Sequence, residues 1–449
     1  MSRAPGAVTH RSVLAIAVPI MLSNVSEPLI GVVDTAVIGR LPEPYFIGAI
    51  AIGSLVFSFV YWGFGFLRLG TSGLAAQAYG AGDARELAAV LFRALLVAAG
   101  CGVAVIAAGP LIEQLVISMV QGSAEVEHHA AVYFRIRVWS APFALVNFVL
   151  MGWLIGQARA SLAFALQLYL NVCNMALDAL LVLRFGMTSD GVGLGTLVAE
   201  VSAAFVGLAV VGLEFRRRGL GLDRAAIFDA GKFRRTFVIN FDIMIRTWCL
   251  VFAFWWHAAQ GAKAGDVIVS ANAVLINLFE VAAYLVDGFA YAAEALVGQS
   301  VGARDRHRYR DAVAITTWWA LAVGTLLAVV IYFGGPALID ALATNVEVRA
   351  TAKVYLPWVA LSAIAGVICF QLDGIFTGAT RTADMRNMMA LSLAVYLAVW
   401  WIATRSFGNH GLWLALNAFF IIRAITLGLR LKALEGASFP PTREATANP

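Results

Sequence analysis

Apolar residues in this chain collect in long blocks separated by short polar stretches. Twelve blocks can be traced, with approximate limits 12–39, 46–78, 86–109, 130–156, 161–184, 191–214, 237–260, 267–299, 311–334, 351–377, 387–404 and 410–430. A hydrocarbon core roughly 30 Å thick is crossed by about 20 apolar residues in a helix. A helix also satisfies every backbone N–H and C=O within its own segment, which lipid cannot do. Barrel strands would be shorter and would alternate in polarity. The pattern therefore predicts an all-α membrane protein with twelve transmembrane helices. The first block, Val13 to Ile38, is too long for a signal-peptide core, so it is expected to remain as the first span.

Composition supports this. Of 449 residues, 61% are hydrophobic and 13% are charged, against roughly 45–50% and about 25% in soluble chains. Lipid must solvate much of the surface. With the N-terminus inside, 20 of the 32 Lys and Arg fall on the cytoplasmic side and six on the other, so both ends are expected in the cytoplasm. The basic stretch from Arg216 to Arg235 lies beside the membrane. It reads as a topogenic or headgroup-facing segment, and no nucleic-acid partner is expected. The four cysteines, Cys101, Cys173, Cys249 and Cys369, are separate and lie inside apolar runs, so they imply neither disulfides nor a metal site.

The sequence partly matches itself at an offset of 222 residues. Leu74, Gln77, Gly80, Ala81 and Asp83 fall on Leu296, Gln299, Gly302, Ala303 and Asp305. Phe148, Leu150, Gly152, Gly156 and Arg159 fall on Phe370, Leu372, Gly374, Gly378 and Arg381, and Phe185-Gly186 falls on Phe407-Gly408. Each half holds six spans, so both halves start on the same side as parallel repeats, an arrangement known from secondary transporters. The expected organisation is a six-helix lobe at 1–215, a cytoplasmic linker at 216–236, a second lobe at 237–432 and a disordered tail at 433–449.

Charges inside spans cost about 2.5–3.5 kcal/mol each on insertion scales and need a reason. The acids are Asp34, Asp178, Asp242, Glu280, Asp287, Glu294 and Asp373; the bases include Arg68, Arg93, Arg246 and Arg423. Asp34 and Asp178 lie at similar depth in the outer half of the bilayer, with no Lys or Arg within a helical turn. Asn174 is one turn from Asp178, and Thr196 enters at a similar depth, so the four are expected to converge. A buried carboxylate without a cation can be neutral near physiological pH, as a proton carrier requires. Asp242 and Arg246 are spaced for an i, i+4 ion pair at the inner end of the seventh span. Glu294 is expected to be solvated at the inner interface. Glu280 is placed facing a cavity or in the bundle. Asp287 and Asp373 would either neutralise arginines or bind a cation. Pro19 and Pro28 interrupt the first span before Asp34, as a fixed kink or as a hinge. None of these acids is repeated at the 222-residue offset: Asp34 falls on Trp256 and Asp178 on Trp400.

These stretches resemble the multidrug and toxic compound extrusion (MATE) transporters, in particular the DinF-like branch. The resemblance lies in Val33-Asp34-Thr35-Ala36-Val37-Ile38-Gly39, in Thr71 to Gly80, in Asp287 to Ala292, and in Leu372 to Arg381. It covers about residues 12–430. It implies two six-helix bundles forming a V around a central cavity. It also implies efflux of small organic, cationic or amphipathic compounds in exchange for H⁺ or Na⁺ by alternating access. Asp34 and Asp178 match the acids of the N-lobe ion site, with Asn174, Thr196 and Asn147 beside them, and Asp373 matches the C-lobe acid. The span-7 glutamate of some sodium-coupled relatives has no counterpart, which favours protons. No cofactor or resident metal is implied beyond the coupling ion. The expected setting is a multi-pass protein of the inner membrane, acting as a monomer on a small-molecule substrate. A lipid-linked precursor flippase would present a cationic cavity, whereas the intramembrane set here is mainly acidic. An intramembrane metalloenzyme would need a motif such as HExxH, which does not occur.

Overall fold

The computed structural model describes residues 6–40, 43, 45–120, 122–219, 221 and 223–440, excepting the side chains of 27–30, 32, 34, 35, 116–120 and 218. The described residues form helices and no strands. In chain order these are α1 (His10–Ile38), α2 (Tyr45–Gly63), α3 (Phe66–Gly80), α4 (Ala84–Val120), α5 (Ala124–Arg137), α6 (Ala141–Gly156), α7 (Ala160–Ala179) and α8 (Ser189–Arg218). They continue with α9 (Arg224–Ile227), α10 (Ala230–Lys263), α11 (Asp266–Gly302), α12 (Arg306–Leu342), α13 (Val346–Gly378), α14 (Thr382–Phe407) and α15 (Asn409–Ser438).

Among the described residues, 11 helical stretches are long and apolar enough to cross a membrane. α1 covers the remaining expected block. The second block is divided: a turn at Phe64-Gly65 separates α2 from α3, with the Phe64 N–H donating to the Tyr61 carbonyl at 2.9 Å. The fourth combines α5 and α6 through a 3-10 turn, Val138–Ser140. Helices overrun the expected limits at charged ends, where polar side chains carry them past the apolar run. α10 begins at Ala230, ahead of the expected limit of 237. α8 and α10 also enter the segment expected as linker, which holds the short α9 between them. The tail expected to be disordered from 433 is helical to Ser438, where Glu435 accepts hydrogen bonds from Arg306 and Arg310 at 2.6 and 2.8 Å. Residues 441–449 lie outside the described set.

The chain divides into two compact units, one of residues 22–75 and 83–240, the other of 1–21, 76–82 and 241–449. α1 is shared between them, changing unit between its two prolines. In the first unit α6 packs on α4 and α8, and α7 packs along α8. In the second, α13 is central: it lies against α11, α12 and α15, and α14 pairs with α15. The core of this unit is aromatic and aliphatic, with Phe279, Tyr396, Trp413, Phe419 and Phe420 buried together.

The sequence repeat is also a repeat of backbone geometry. Ala158 and Thr380 carry positive φ of 58° and 53°, and each is followed by an arginine N-cap, Arg159 (φ −97°, ψ 47°) and Arg381 (φ −94°, ψ 53°). Gly82 (φ 67°) matches Arg304 (φ 56°), and Gly186 (φ 68°) matches Gly408 (φ 52°). Asp83 and Asp305 each accept from a backbone N–H three residues on, at 2.8 and 2.9 Å, starting α4 and α12. Glycine at two repeat-related positions is required by contact. A Cβ on Gly152 would collide with the Arg68 carbonyl, and one on Gly374 with the Ala290 carbonyl. The same helix crossing, α6 on α3 and α13 on α11, is thus built in both halves.

Candidate ion and substrate sites

In the first unit, Asp178 is the penultimate residue of α7, before its end at Ala179, and is fully buried, at 0% exposure. The next five residues, Leu180–Arg184, form a π-helical turn. Such turns inside helices occur mostly as local insertions and frequently at functional sites. The carboxylate lies against the α8 backbone: a Cβ on Gly195 would overlap Asp178 Oδ1. One turn back, Asn174 Nδ2 donates to Thr196 Oγ1 at 3.1 Å, and that hydroxyl donates to the Val192 carbonyl at 3.0 Å. Asp178, Asn174 and Thr196 are therefore brought together, as their spacing suggests. Asn171 extends the polar line by donating to Ser26 Oγ of α1 at 2.8 Å and accepting from Gln167 Nε2 at 2.9 Å. The side chains of Asp34 and Pro28 lie outside the described residues. Pro19 is inside α1, which stays helical through it.

Among the described residues, the hydrogen bonds of Asn147 go to Glu200. Its amide donates to Glu200 Oε2 at 2.7 Å and to the Glu200 carbonyl at 3.1 Å. Glu200 was missed by the sequence reading, although it is a carboxylate well inside an apolar run and one turn beyond Thr196 on α8. A cavity of about 10 Å³ adjoins Asn147 and Gln167, otherwise lined by Leu150, Met151, Leu166, Leu170 and Ala203. That is roughly room for one water.

In the second unit the charges pair differently from the spacing-based expectation. Asp242 does not bond Arg246. It reaches α14, accepting from Arg386 Nη1 at 2.5 Å and from Thr382 Oγ1 at 2.9 Å. Thr382 is the first residue of α14, so Asp242 places a carboxylate at a helix N-terminus, where the dipole favours it. Arg246, one turn deeper, instead pairs with Asp373 of α13. Arg423 of α15 pairs with the same oxygen, Oδ2. Asp287 of α11 interacts electrostatically with both arginines, and Tyr291, one turn along, with Arg246. Asp373 thus has two guanidiniums on Oδ2, and their positive charge opposes a bare cation there. Glu294 is not solvated; it is 1% exposed, on the buried end of α11. Glu280 is half-buried, with no basic group in salt-bridge range among the described residues.

At the repeat offset, the counterparts of Asp34, Asn174 and Asp178 are Trp256, Tyr396 and Trp400. Trp256 and Trp400 meet edge to face with centroids 4.9 Å apart, and Tyr396 is buried. Positions that carry acids in one half carry packed aromatics in the other.

A membrane bundle of two repeated halves, with a buried carboxylate group in one and an ion cluster in the other, defines a secondary-transporter architecture. The MatE family profile matches residues 19–180 and 243–402, one segment in each half, and the chain belongs to this family of multidrug efflux transporters. It is a transporter and not an enzyme. It is 38% identical over 412 residues to DNA damage-inducible protein F of Escherichia coli (strain K12), covering 92% of this chain and 90% of that one. It is 26% identical over 452 residues to the probable multidrug resistance protein NorM of Neisseria meningitidis (serogroup A / serotype 4A, strain DSM 15465 / Z2491), covering 93% and 92%. A solved outward-facing multidrug resistance MATE transporter shares the fold, with a TM-score of 0.84 at 17% identity over 95% of this chain and 96% of that one.

Proposed function

We propose that this chain exports small amphipathic organic compounds across the inner membrane in exchange for inward H⁺, with Na⁺ as the alternative ion, by alternating access. The coupling step is ion uptake at Asp34 and Asp178, with Asn174 and Thr196 orienting the site and Asn147 supporting it through Glu200. The observation that carries this reading is Asp178, a fully buried carboxylate against the Gly195 backbone, beside the Asn174–Thr196 bond and before a π turn. Burying an ionised carboxylate is costly, so taking up a proton changes the energy of the site. Assignment of Asp34 to the same site rests on the family resemblance and on the repeat, whose counterpart residues Trp256 and Trp400 meet. Ion uptake would act on α1 through its hinge at Pro19 and Pro28. Both termini are cytoplasmic in this reading, and the monomer is the working unit. The two arginines on Asp373 argue against a C-lobe Na⁺ site and favour H⁺.

Full-length protein in liposomes under an imposed pH or sodium gradient tests the proposal. Asp34→Asn and Asp178→Asn should each abolish gradient-driven uptake of a fluorescent organic dye. Full transport by either variant would sink it.

A further inference from the structure

The ion cluster of the second unit has unused hydrogen-bonding capacity of both kinds. Arg423 is fully buried, yet its Nε and Nη1 have no hydrogen-bond partner among the described residues. Arg246 Nε and Asp373 Oδ1 are likewise open. Buried polar atoms are nearly always satisfied, and each exception needs a cause. Both arginines crowd onto one oxygen of Asp373 while its other oxygen stays free. A cluster built only to tie α10, α13 and α15 together would spread these bonds over both oxygens. The cluster is also not sealed: the side chains of Arg246 and Asp373 are 12% and 11% exposed.

Charge then limits what can bind. Arg246 and Arg423 are balanced by Asp373 and Asp287. Adding a simple anion or a simple cation leaves one buried charge uncompensated, which is costly. A ligand with both an oxyanion and a protonated amine adds no net charge. Its oxyanion suits the open guanidinium N–H groups and its ammonium suits Asp373 Oδ1.

We propose that Arg246, Arg423 and Asp373 form a substrate subsite for zwitterionic organic compounds carrying a carboxylate and an amine. The inference rests on the exporter reading above and names a substrate class for it. Arg246 and Arg423 receive the carboxylate, Asp373 receives the ammonium, and Asp287 holds the charge balance.

The test is calorimetric titration of the full chain in nanodiscs with three probes on one ring: 4-(aminomethyl)benzoate, benzoate and benzylammonium. The wild type should bind the zwitterion at least tenfold more tightly than either singly charged probe. Arg246→Gln and Arg423→Gln should each reduce that preference to within about twofold. Asp373→Asn should invert it, with benzoate gaining and the zwitterion losing, a change that a purely structural clamp would not produce. Arg246→Lys keeps the charge but not the fork and should retain part of the preference. Melting curves confirm folding, and if Arg423→Gln does not fold, Arg246→Gln and Asp373→Asn decide. Equal or absent binding of the three probes to the wild type, or a preference that survives Arg246→Gln, overturns the inference. Asp178→Asn separates the two readings. Loss of gradient-driven uptake in that variant, with no zwitterion preference in the wild type, leaves the exporter standing and removes only this inference. Intact uptake removes the coupling reading instead.

Discussion

Gly195→Ala is the sharpest perturbation of the coupling site, because it changes no polar group. The methyl would overlap Asp178 Oδ1 and also lie 3.3 Å from the Asp178 backbone nitrogen. Both neighbours resist movement: Asp178 is fully buried, and its backbone is the last turn before the π segment. Overpacking a tight interior by one methyl costs about 1–3 kcal/mol. If the carboxylate swings away to relieve it, the competent geometry loses that much, or roughly 5- to 150-fold in occupancy. The expected result is gradient-driven dye uptake in liposomes reduced within that range, with melting still cooperative. The double variant Gly195→Ala/Asp178→Asn should be no worse than Asp178→Asn alone, because both act on one group. Wild-type uptake by Gly195→Ala, or strictly additive losses in the double variant, would refute the link between this backbone approach and coupling.

Other perturbations test the remaining geometry. A double-mutant cycle on Asp242→Asn and Arg386→Gln should give a coupling of about 1–2 kcal/mol in unfolding measurements, while Asp242→Asn with Arg246→Gln should be additive within about 0.5 kcal/mol. The reverse ranking would restore the i, i+4 pair. Gly152→Ala and Gly374→Ala each push a methyl into a facing backbone carbonyl and should cost about 3 kcal/mol, at the top of the overpacking range, seen as lowered melting. Asn174→Ala removes the bond to Thr196, worth about 1 kcal/mol; a several-fold shift in the ion concentration giving half-maximal transport is expected. Outside the membrane, Asp229 accepts the Lys232 backbone N–H at 2.9 Å, and this bond holds its pKa below the usual carboxylate value. Asp229→Ala should therefore lower the melting temperature at neutral pH, and the difference should vanish as pH falls through the depressed pKa of the folded wild type.

The helices and their doubling were legible in the sequence because both are written locally. Apolar length defines a rod, and glycine, aspartate and arginine recur where the chain turns or crosses closely. The Gly152 and Gly374 matches, for example, record the same backbone contact in each half. Asp178, Asn174 and Thr196 were legible because depth in a membrane can be counted along a helix. Pairings between distant helices were not. Arg246 has Asp242 one turn away but meets Asp373, 127 positions along the chain. Nothing local indicates that Arg423 competes for the same oxygen, or that Asp242 reaches α14. Glu200 is a different failure: the signal was present, an acid inside an apolar span, and it was passed over. The Phe64-Gly65 break was hidden because apolar residues continue through it.

Charge is distributed between the halves so that neither site has a charged copy. The acids at 34 and 178 have Trp256 and Trp400 as counterparts, and the polar Asn174 and Thr196 have Tyr396 and Ala418. In the other direction, Arg246, Asp287, Asp373 and Arg423 fall on Asn24, Gly65, Met151 and Val201. A doubled scaffold with symmetric chemistry would offer two equivalent sites, and an ion and a substrate would compete at both. Here the buried Asp178 carboxylate and the balanced ion cluster favour ligands of different charge, a cation in one half and a net-neutral zwitterion in the other. Differences of this kind produce specificity by penalising the wrong ligand as much as by rewarding the right one. On this argument exchanging the chemistry matters more than removing it. Placing Asp at Trp400 should not create a second coupling site, because its surroundings are Trp256, Tyr396 and the aromatic core and not the Asn174–Thr196 pair. Trp400→Asp should therefore destabilise the chain and leave the ion-to-substrate stoichiometry unchanged; an increased stoichiometry in liposome flux measurements would show the halves to be interchangeable after all.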